Sequence, residues 1–370
     1  MVPCCCGGVD RRAFLTAILG AIGAACAGPT ASGTSRRVDG LMTQAESALR
    51  DWPVVDLHSH PGRFILTRVG EVPRSALTEM AGGGVDAAFF AAVGDLPVIR
   101  REANGIRNFR DPEPHELYRS GLAQVERVVA RAKTGELTLI REPGDVAAAR
   151  SAGRRAALLA LEGGDGLEGR PERVREFFAL GVRSIQLVHY RINELGDIQT
   201  DQPRHGGLTT RGADVVAEMN RLGVVVDGAH ADAATLRAIL AASRTPIVVS
   251  HTGPWRVRRF RRHLDDDLLK AVAAQGGVVG IWPLAQPGSS IDGFLAELEY
   301  VRQLIGIDHV GFGTDMTGMA DSTSIPSYLD FKPVPAALLA RGFSEDDLRK
   351  LLGGNVLRVM EAVVAARTTT

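Results

Sequence analysis

The sequence predicts a (β/α)8 TIM barrel, an α/β fold in which eight parallel strands alternate with helices. From Asp51 to the C-terminus, short apolar segments recur, each with a polar or glycine-rich end, and longer segments of helical periodicity separate them. Near-continuous apolar strands are typical of a parallel sheet that is buried on both faces. Their regular alternation with helices predicts right-handed βαβ units, and eight such units match the barrel.

The predicted strands lie at residues 54–60, 85–95, 156–165, 183–190, 223–230, 245–252, 276–284 and 309–315. The second of these segments is rich in alanine and would also fit a helix. Before the seventh and eighth strands, DDLLKAVAAQG and AELEYVRQLIG carry apolar residues at helical spacing and end on glycine. A doubly wound open sheet is the alternative fold, but no G-x-G-x-x-G follows the first strand, which disfavours dinucleotide binding.

Composition indicates a globular protein with enough material for a sizeable core. The chain has 370 residues, is 45% hydrophobic, and has 43 Lys+Arg against 43 Asp+Glu. This neutral balance argues against nucleic acid as the main partner. Beyond residue 40 there is no long apolar run, low-complexity tract or internal repeat, so we assign residues 51–370 to a single barrel domain.

The N-terminal segment has the layout of an export signal. Arg11-Arg12 precede Phe14-Leu15 and an apolar run too short to span a membrane, and small residues follow it. The twin arginine predicts a Tat-like signal peptide over residues 1–27, a linker and lead-in over 28–50, and a periplasmic location without a stable membrane span. Lipid attachment at Cys26 is the alternative to cleavage after Ala27.

The cysteines limit the chemistry of any metal site. All four lie in the predicted leader, at Cys4, Cys5, Cys6 and Cys26. After removal of this leader the protein has no thiol, and therefore neither disulfides nor cysteine-ligated zinc. A metal ion would have to bind histidine and carboxylate side chains.

Polar side chains occur at the carboxyl ends of six predicted strands. They are His58 and His60, Glu162, His189, His230, His251 and Asp315. In a barrel these strand ends form one rim, where the active sites of this fold are built. Five of the nine histidines lie there, whereas surface histidines would favour helices and loops.

Four of these histidines and the glutamate suit Zn²⁺ or a similar divalent ion. They are His58, His60, Glu162, His230 and His251. A single catalytic ion that keeps an open position needs about three protein ligands. A carboxylate shared between two ions about 3.5–4 Å apart accounts for five ligands.

The chain resembles the membrane dipeptidase (renal dipeptidase) family, peptidase family M19, whose members are binuclear zinc peptidases. The resemblance runs from about Asp51 to the C-terminus and rests on VVDLHSH, LALEGGDGL, IQLVHYRIN, GGLTTRGADVVAEMNRLGVVVDGAH, TPIVVSHT, DDDLLKAVAAQGGVVGI, VGFGTD and GGNVLRV. It implies an amidohydrolase-like barrel that hydrolyses small dipeptides, tolerates a C-terminal D-residue and forms homodimers in some relatives.

The resemblance also implies roles for individual residues. His58 and His60 would bind one zinc ion and His230 and His251 the second, with Glu162 bridging the two. Asp315 would lie beside the bridging hydroxide and carry the proton to the leaving amine. His189 would stabilise the tetrahedral oxyanion, and Arg262 would bind the free carboxylate of the dipeptide, a task that suits a guanidinium.

Two positions depart from the family pattern. Where the family has His-x-Asp on the first strand, this chain has His58-Ser59-His60, the version of the broader amidohydrolase barrels. Imidazole in place of carboxylate makes the site more positive by one charge, so metal preference or substrate range should change. His263 stands after Arg262 where the family usually has Asn.

Simpler interpretations remain for several residues. Glu162 would fit an exposed turn, Asp315 a helix cap, and His189 a supporting role beside Tyr190 and Arg191. Arg262 has neighbours that compete with it for substrate, namely Arg256, Arg258, Arg259 and Arg261. The remaining histidines are assigned to surface or structural roles: His115, His205, His263 and His309.

Two other functions compete with dipeptide hydrolysis. An N-acyl amino acid amidase or lactonase would keep the metal ions and change the bond, and His60 favours it. A periplasmic binding protein with a degenerate site is the non-catalytic alternative, which the otherwise intact set of metal ligands disfavours.

Overall fold

The computed structural model describes residues 31–60, 74–103, 105–284, 291–318 and 323–368, without the side chains of 31–35 and 74–75. The predicted signal peptide over residues 1–27, with all four cysteines, lies outside the described residues. So does Ala27, the predicted cleavage position.

Eight parallel strands form a barrel, which confirms the predicted fold. The strands, including three that lie outside the barrel, are β1 Val55–Ser59, β2 Ala87–Val93, β3 Ile99–Glu102, β4 Gly105–Asn108, β5 Leu137–Leu139, β6 Arg155–Glu162, β7 Val182–Gln186, β8 Val225–Asp227, β9 Val248–Thr252, β10 Val278–Ile281 and β11 Val310–Phe312. Their hydrogen-bonded order around the barrel is β1-β2-β6-β7-β8-β9-β10-β11.

The barrel closes where the chain after β11 meets the end of β1. Asp315 N donates to His58 O and His60 N donates to Met316 O, each at 2.9 Å. These bonds place the segment that carries Asp315 directly beside the two histidines of the first strand.

Helices precede or follow the strands along the chain. In chain order they span Ala31–Ala48, Arg74–Gly83, Glu116–Lys133, Gly144–Ser151, Glu172–Leu180, Thr210–Leu222, Ala233–Ala242, Asp266–Ala274, Ile291–Ile305, Tyr328–Phe331, Val334–Ala340, Glu345–Arg349 and Asn355–Ala365. None of the helices within the described ranges combines the length and the apolar content needed to cross a membrane.

Each of the eight predicted segments overlaps a barrel strand, and two of the strands, β6 and β7, begin one residue earlier than predicted. The alanine-rich second segment is β2, and all seven of its residues are buried. Alternate residues of β2 belong to two different core clusters. Ala88 and Phe90 belong to the cluster that includes the outer helices, whereas Phe89 and Ala91 belong to the cluster that includes helix Asn355–Ala365. The sheet is therefore buried on both faces, as the apolar runs indicated.

Three elements differ from the sequence expectation. Most of the predicted linker and lead-in is helix Ala31–Ala48, and its Val38 and Ala45 are buried in the main core because they recur on one face. The short strand β5 adds to the edge of β6 outside the barrel. Finally, β3 and β4 form an antiparallel hairpin after β2.

Phe312 provides a test of the core. Its ring is fully buried in β11 and stacks on Phe331 with ring centroids 4.6 Å apart. We expect Phe312→Ala to lower the free energy of unfolding in denaturant by about 3–5 kcal/mol, because the truncation leaves a cavity. Phe109→Ala is the matched control, since that ring is 43% exposed; its effect should stay within about 0.5 kcal/mol. Equal losses in both variants would contradict this packing.

Candidate metal centre

The barrel brings the seven predicted strand-end residues to one place. His58 and His251 are the penultimate residues of β1 and β9, and Glu162 is the last residue of β6. The other four follow their strands by one to three residues, and all seven are buried: His58, His60, Glu162, His189, His230, His251 and Asp315. The convergence that the sequence predicted is therefore observed.

Glu162 is the centre of this cluster. Four imidazole Nε2 atoms lie around its Oε1, at 3.2 Å for His58, 3.3 Å for His230, 3.4 Å for His189 and 3.5 Å for His251. The fifth, His60 Nε2, lies 3.2 Å from Oε2. The alternative interpretation of Glu162 as an exposed turn carboxylate is wrong.

Two pairs of imidazole nitrogens lie close together beside Glu162. His58 Nε2 and His60 Nε2 are 3.1 Å apart, and His230 Nε2 and His251 Nε2 are 3.0 Å apart. Ligand atoms around one tetrahedral zinc ion, each bound at 2.0–2.1 Å, lie about 3.3 Å from one another. The spacing in both pairs therefore suits a divalent ion of this size.

The hydrogen bonds of His60 orient its free nitrogen towards acids. Its Nδ1 lies 3.1 Å from the Ala91 carbonyl oxygen, which can only accept, so Nδ1 carries the proton. His60 Nε2 then faces Glu162 Oε2 and Asp315 Oδ1, at 3.2 and 3.1 Å. Both carboxylate oxygens are buried and have no other hydrogen-bond partner. These three atoms need either a proton or a metal ion between them, and so the residues fit a bound metal ion.

Charge coupling within the cluster perturbs the pKa of its members. Burial alone would lower the pKa of His60, but Glu162 and Asp315 outweigh it and raise that pKa to about 10. Burial would raise the pKa of Glu162, yet His189, His58 and His60 hold it well below its usual value. Burial and the nearby Arg262 lower the pKa of His230 and His251, so these imidazoles are neutral and available as ligands.

The backbone is strained at two members of the cluster. His230 and Asp315 have φ values of 66° and 50°, in the left-handed region that non-glycine residues rarely adopt. Gly163 follows Glu162 with a φ of 90°, and a Cβ there would lie 2.7 Å from Asp165 Oδ2. Such strain concentrates at functional sites, where the surrounding structure holds it in place.

His189 is oriented by a residue that sequence reasoning missed. Its Nδ1 lies 2.7 Å from Asp95 Oδ1, and the second oxygen of Asp95 accepts the Tyr190 N–H at 3.0 Å. Burial would lower the pKa of His189, but Asp95 and Glu162 raise it above its ordinary value. The sequence could have indicated Asp95, because it lies at the end of the second predicted strand, as the other site residues lie at the ends of their strands.

Arg262 lies beside the cluster and is fully buried. It donates to Gln199 Oε1 at 2.6 Å, and its second terminal nitrogen lies 3.0 Å from His251 Nε2. Burial lowers its pKa. Gln199 gave no signal in the sequence, because it lies in a loop without a recognisable pattern.

The other polar groups take structural roles. Asp56 accepts hydrogen bonds from Thr314 and Tyr328 instead of joining the ligands, and burial raises its pKa to about 6. The four remaining histidines contact protein groups outside the cluster, as expected: His115, His205, His263 and His309.

A cavity of about 280 Å³ opens onto the cluster. Its inner wall contains Glu162, His189, His230 and Asp315. The remaining wall is mainly apolar and includes Leu96, Ile99, Ile106, Tyr190, Phe260, Trp282 and Leu284. A cavity of this size is suited to a small molecule whose polar centre lies against the cluster.

Comparison with known proteins identifies the family of the chain. Residues 42–370 match the family described as Membrane dipeptidase (Peptidase family M19). The chain is 30% identical over 345 residues to dipeptidase verJ of Clonostachys rogersoniana, covering 88% of each. It is 37% identical over 219 residues to dipeptidase aclJ of Aspergillus oryzae, covering 57% of this chain and 52% of the relative.

Solved structures share the fold. The probable dipeptidase PvdM of Pseudomonas aeruginosa superposes with a TM-score of 0.74 at 20% identity, over 89% of this chain and 99% of that one. A metallopeptidase of Rhodobacter sphaeroides, solved with a phosphinate mimic of the dipeptide L-Ala-D-Ala, gives 0.70 at 21% identity, over 85% and 99%.

The family match spans nearly the whole described chain, and the barrel carries a buried cluster of histidines and acids suited to metal ions at its carboxyl rim. The chain belongs to the membrane dipeptidase family, peptidase family M19, and is a metallopeptidase-type hydrolase acting on peptide bonds.

Proposed function

We propose that the protein is an exported dipeptidase that uses two divalent metal ions, most simply Zn²⁺, to hydrolyse small dipeptides. The observation that carries this proposal is the buried carboxylate of Glu162, whose Oε1 lies 3.2–3.5 Å from the Nε2 atoms of His58, His230 and His251 and whose Oε2 lies 3.2 Å from that of His60. His58, His60 and Glu162 would hold one ion, and Glu162, His230 and His251 the other. Bound ions of this kind lower the pKa of water and polarise a carbonyl oxygen.

The chain's own residues supply the proton transfers. Asp315 lines the cavity and its Oδ1 lacks a hydrogen-bond partner, so it is available to accept a proton and pass it to the leaving amine. His189 also lines the cavity, and Asp95 and Glu162 raise the pKa of its imidazole above the ordinary value despite its burial. A cationic imidazole in this position would donate a hydrogen bond to the oxyanion that forms as the carbonyl is attacked.

Arg262 would bind the free carboxylate of the dipeptide. It is a buried cation beside the cluster whose hydrogen-bond partners, Gln199 and His251, are both uncharged. Among the described residues Arg262 has no ionic partner; a substrate carboxylate would supply one and would displace the contact with His251.

His60 is the residue that should distinguish this enzyme within its family. A neutral imidazole in place of the usual aspartate leaves the first metal position more positive by one charge. We propose that both ions still bind and that metal preference differs. The Rhodobacter structure holds a mimic of a dipeptide with a C-terminal D-residue, and we extend that tolerance to this chain.

The main alternative is an N-acyl amino acid amidase or lactonase that uses the same ions. His60 favours it, because His-x-His is the pattern of the broader amidohydrolase barrels. A panel of Ala-D-Ala, Ala-L-Ala, N-acetyl-alanine and a γ-lactone separates the two functions. Faster hydrolysis of the two dipeptides than of the other compounds supports the dipeptidase function. Faster hydrolysis of N-acetyl-alanine or the lactone would instead support the amidase or lactonase function.

Export is the remaining part of the proposal. The twin arginine and the apolar run of residues 1–27 support a Tat-type route, which carries folded proteins and would suit a metalloenzyme loaded before transport. Residues 51–370 would then act as the single catalytic domain outside the inner membrane.

Metal content tests the two-ion proposal. We expect two divalent ions per purified chain and loss of Ala-Ala hydrolysis after chelation. His230→Ala should remove at least one ion and lower kcat/KM by more than roughly 100-fold. Removing a residue that only hydrogen-bonds to a metal ligand already costs up to that much, and His230 would be a ligand itself. His115→Ala, at a side chain 56% exposed, is the matched control and should behave like the parent protein. One ion per chain with full activity would defeat the proposal.

Asp95→Asn tests how His189 is oriented and charged. Without the Asp95 charge, the pKa of His189 should fall. The protonated fraction of His189 should then be smaller in the variant than in the parent protein, and it should decrease at a lower pH. We expect kcat to fall about 10–100-fold, more at pH 8 than at pH 6, with unchanged metal content. Asp201→Asn, an exposed position, is the control. An unchanged pH profile of kcat would exclude this role for Asp95.

A further inference from the structure

The β3–β4 hairpin forms one wall of the cavity above the metal cluster. Ile99, Arg100, Arg101, Gly105 and Ile106 all line the cavity. Ile99 and Ile106 pack with Leu96 and Tyr190, which are themselves part of the cavity wall. One face of the hairpin is therefore directed at the space that the substrate would occupy.

The strand register places Arg101 on that same face. Ile99 pairs with Asn108, Arg100 with Arg107, and Arg101 with Ile106. Directly opposed residues of an antiparallel pair share a face, and successive residues alternate between faces. Arg101 therefore shares a face of the hairpin with Ile99 and Ile106, whereas the side chains of Arg100 and Arg107 lie on the other face, although Arg100 is also part of the cavity wall.

The two neighbouring arginines also differ in their partners. Arg100 forms an ion pair with Glu102 at 2.8 Å and lies over the Phe109 ring at 5.2 Å. Within the described part of the chain, no carboxylate lies within ion-pair distance of Arg101, which is exposed. The carboxylates in the cavity wall, Glu162 and Asp315, both belong to the metal cluster.

We propose that Arg101 is a specificity-determining residue that binds a side-chain carboxylate, so that the preferred substrates are acidic dipeptides. This inference rests on the proposed dipeptidase function and on Arg262 taking the main-chain carboxylate. A dipeptide with Asp or Glu carries a second anionic group, and among the described residues of the cavity wall Arg101 is an arginine without an ion-pair partner, whereas Arg100 pairs with Glu102. A guanidinium pairs with a carboxylate through two parallel hydrogen bonds, which favours it over an uncharged amide of the same shape.

Isosteric substrate pairs test this proposal. The parent protein with its metal ions is assayed on Ala-Glu against Ala-Gln, on Glu-Ala against Gln-Ala, and on Ala-Ala. We expect kcat/KM for the acidic member of at least one pair to exceed that of its amide by about tenfold or more, as one charged hydrogen-bonded contact provides. Arg101→Gln should abolish this preference and leave Ala-Ala and the amide dipeptides within about twofold.

Arg154→Gln is the matched control, because Arg154 is exposed and lies just before β6, at the opposite end of that strand from Glu162. It should leave every rate unchanged. Equal rates within both pairs for the parent protein would overturn the proposal. An equal fall for all five dipeptides in Arg101→Gln would also overturn it, because Arg101 would then bind the main-chain carboxylate. Inactivity of the metal-loaded parent protein on every dipeptide would instead refute the proposed function itself, and this inference with it.

Discussion

The arrangement of the site depends on one buried carboxylate. Glu162 lies at the end of β6, and five imidazole nitrogens from four other strands surround its two oxygens at 3.2–3.5 Å. All of these groups are out of water, and Glu162 Oε2, Asp315 Oδ1 and His230 Nδ1 have no hydrogen-bond partner. Such a cluster is unfavourable by itself, since buried lone pairs and charges need a partner. Divalent ions bridged by Glu162 would provide that partner.

The barrel supplies the rigidity that this arrangement requires. Ligands more than 100 residues apart in sequence meet because parallel strands end at the same rim, and bonds from Asp315 N to His58 O and from His60 N to Met316 O close the ring. His230 and Asp315 adopt left-handed backbone conformations that cost on the order of 1–3 kcal/mol each. The packed strands below them offset this cost, and the side chains keep their direction towards Glu162.

Much of this could be predicted from the sequence, for physical reasons. Strands buried on both faces have uninterrupted apolar runs, and their polar ends mark the rim of the barrel. The barrel and the positions of His58, Glu162, His230 and His251 could therefore be predicted from the sequence. The hairpin, by contrast, is made of exposed, arginine-rich residues whose pairing depends on register, and Gln199 reaches Arg262 from an irregular loop. Asp95 was overlooked although it ends a predicted strand, because its partner His189 is 94 residues away.

The most direct measurement of the central claim is anomalous X-ray scattering from crystals of the zinc-loaded protein, recorded on both sides of the zinc absorption edge. Two peaks are expected in the anomalous difference map, one between Glu162, His58 and His60 and the other between Glu162, His230 and His251. A map without a peak beside Glu162, or with zinc bound only at surface histidines, would contradict the claim.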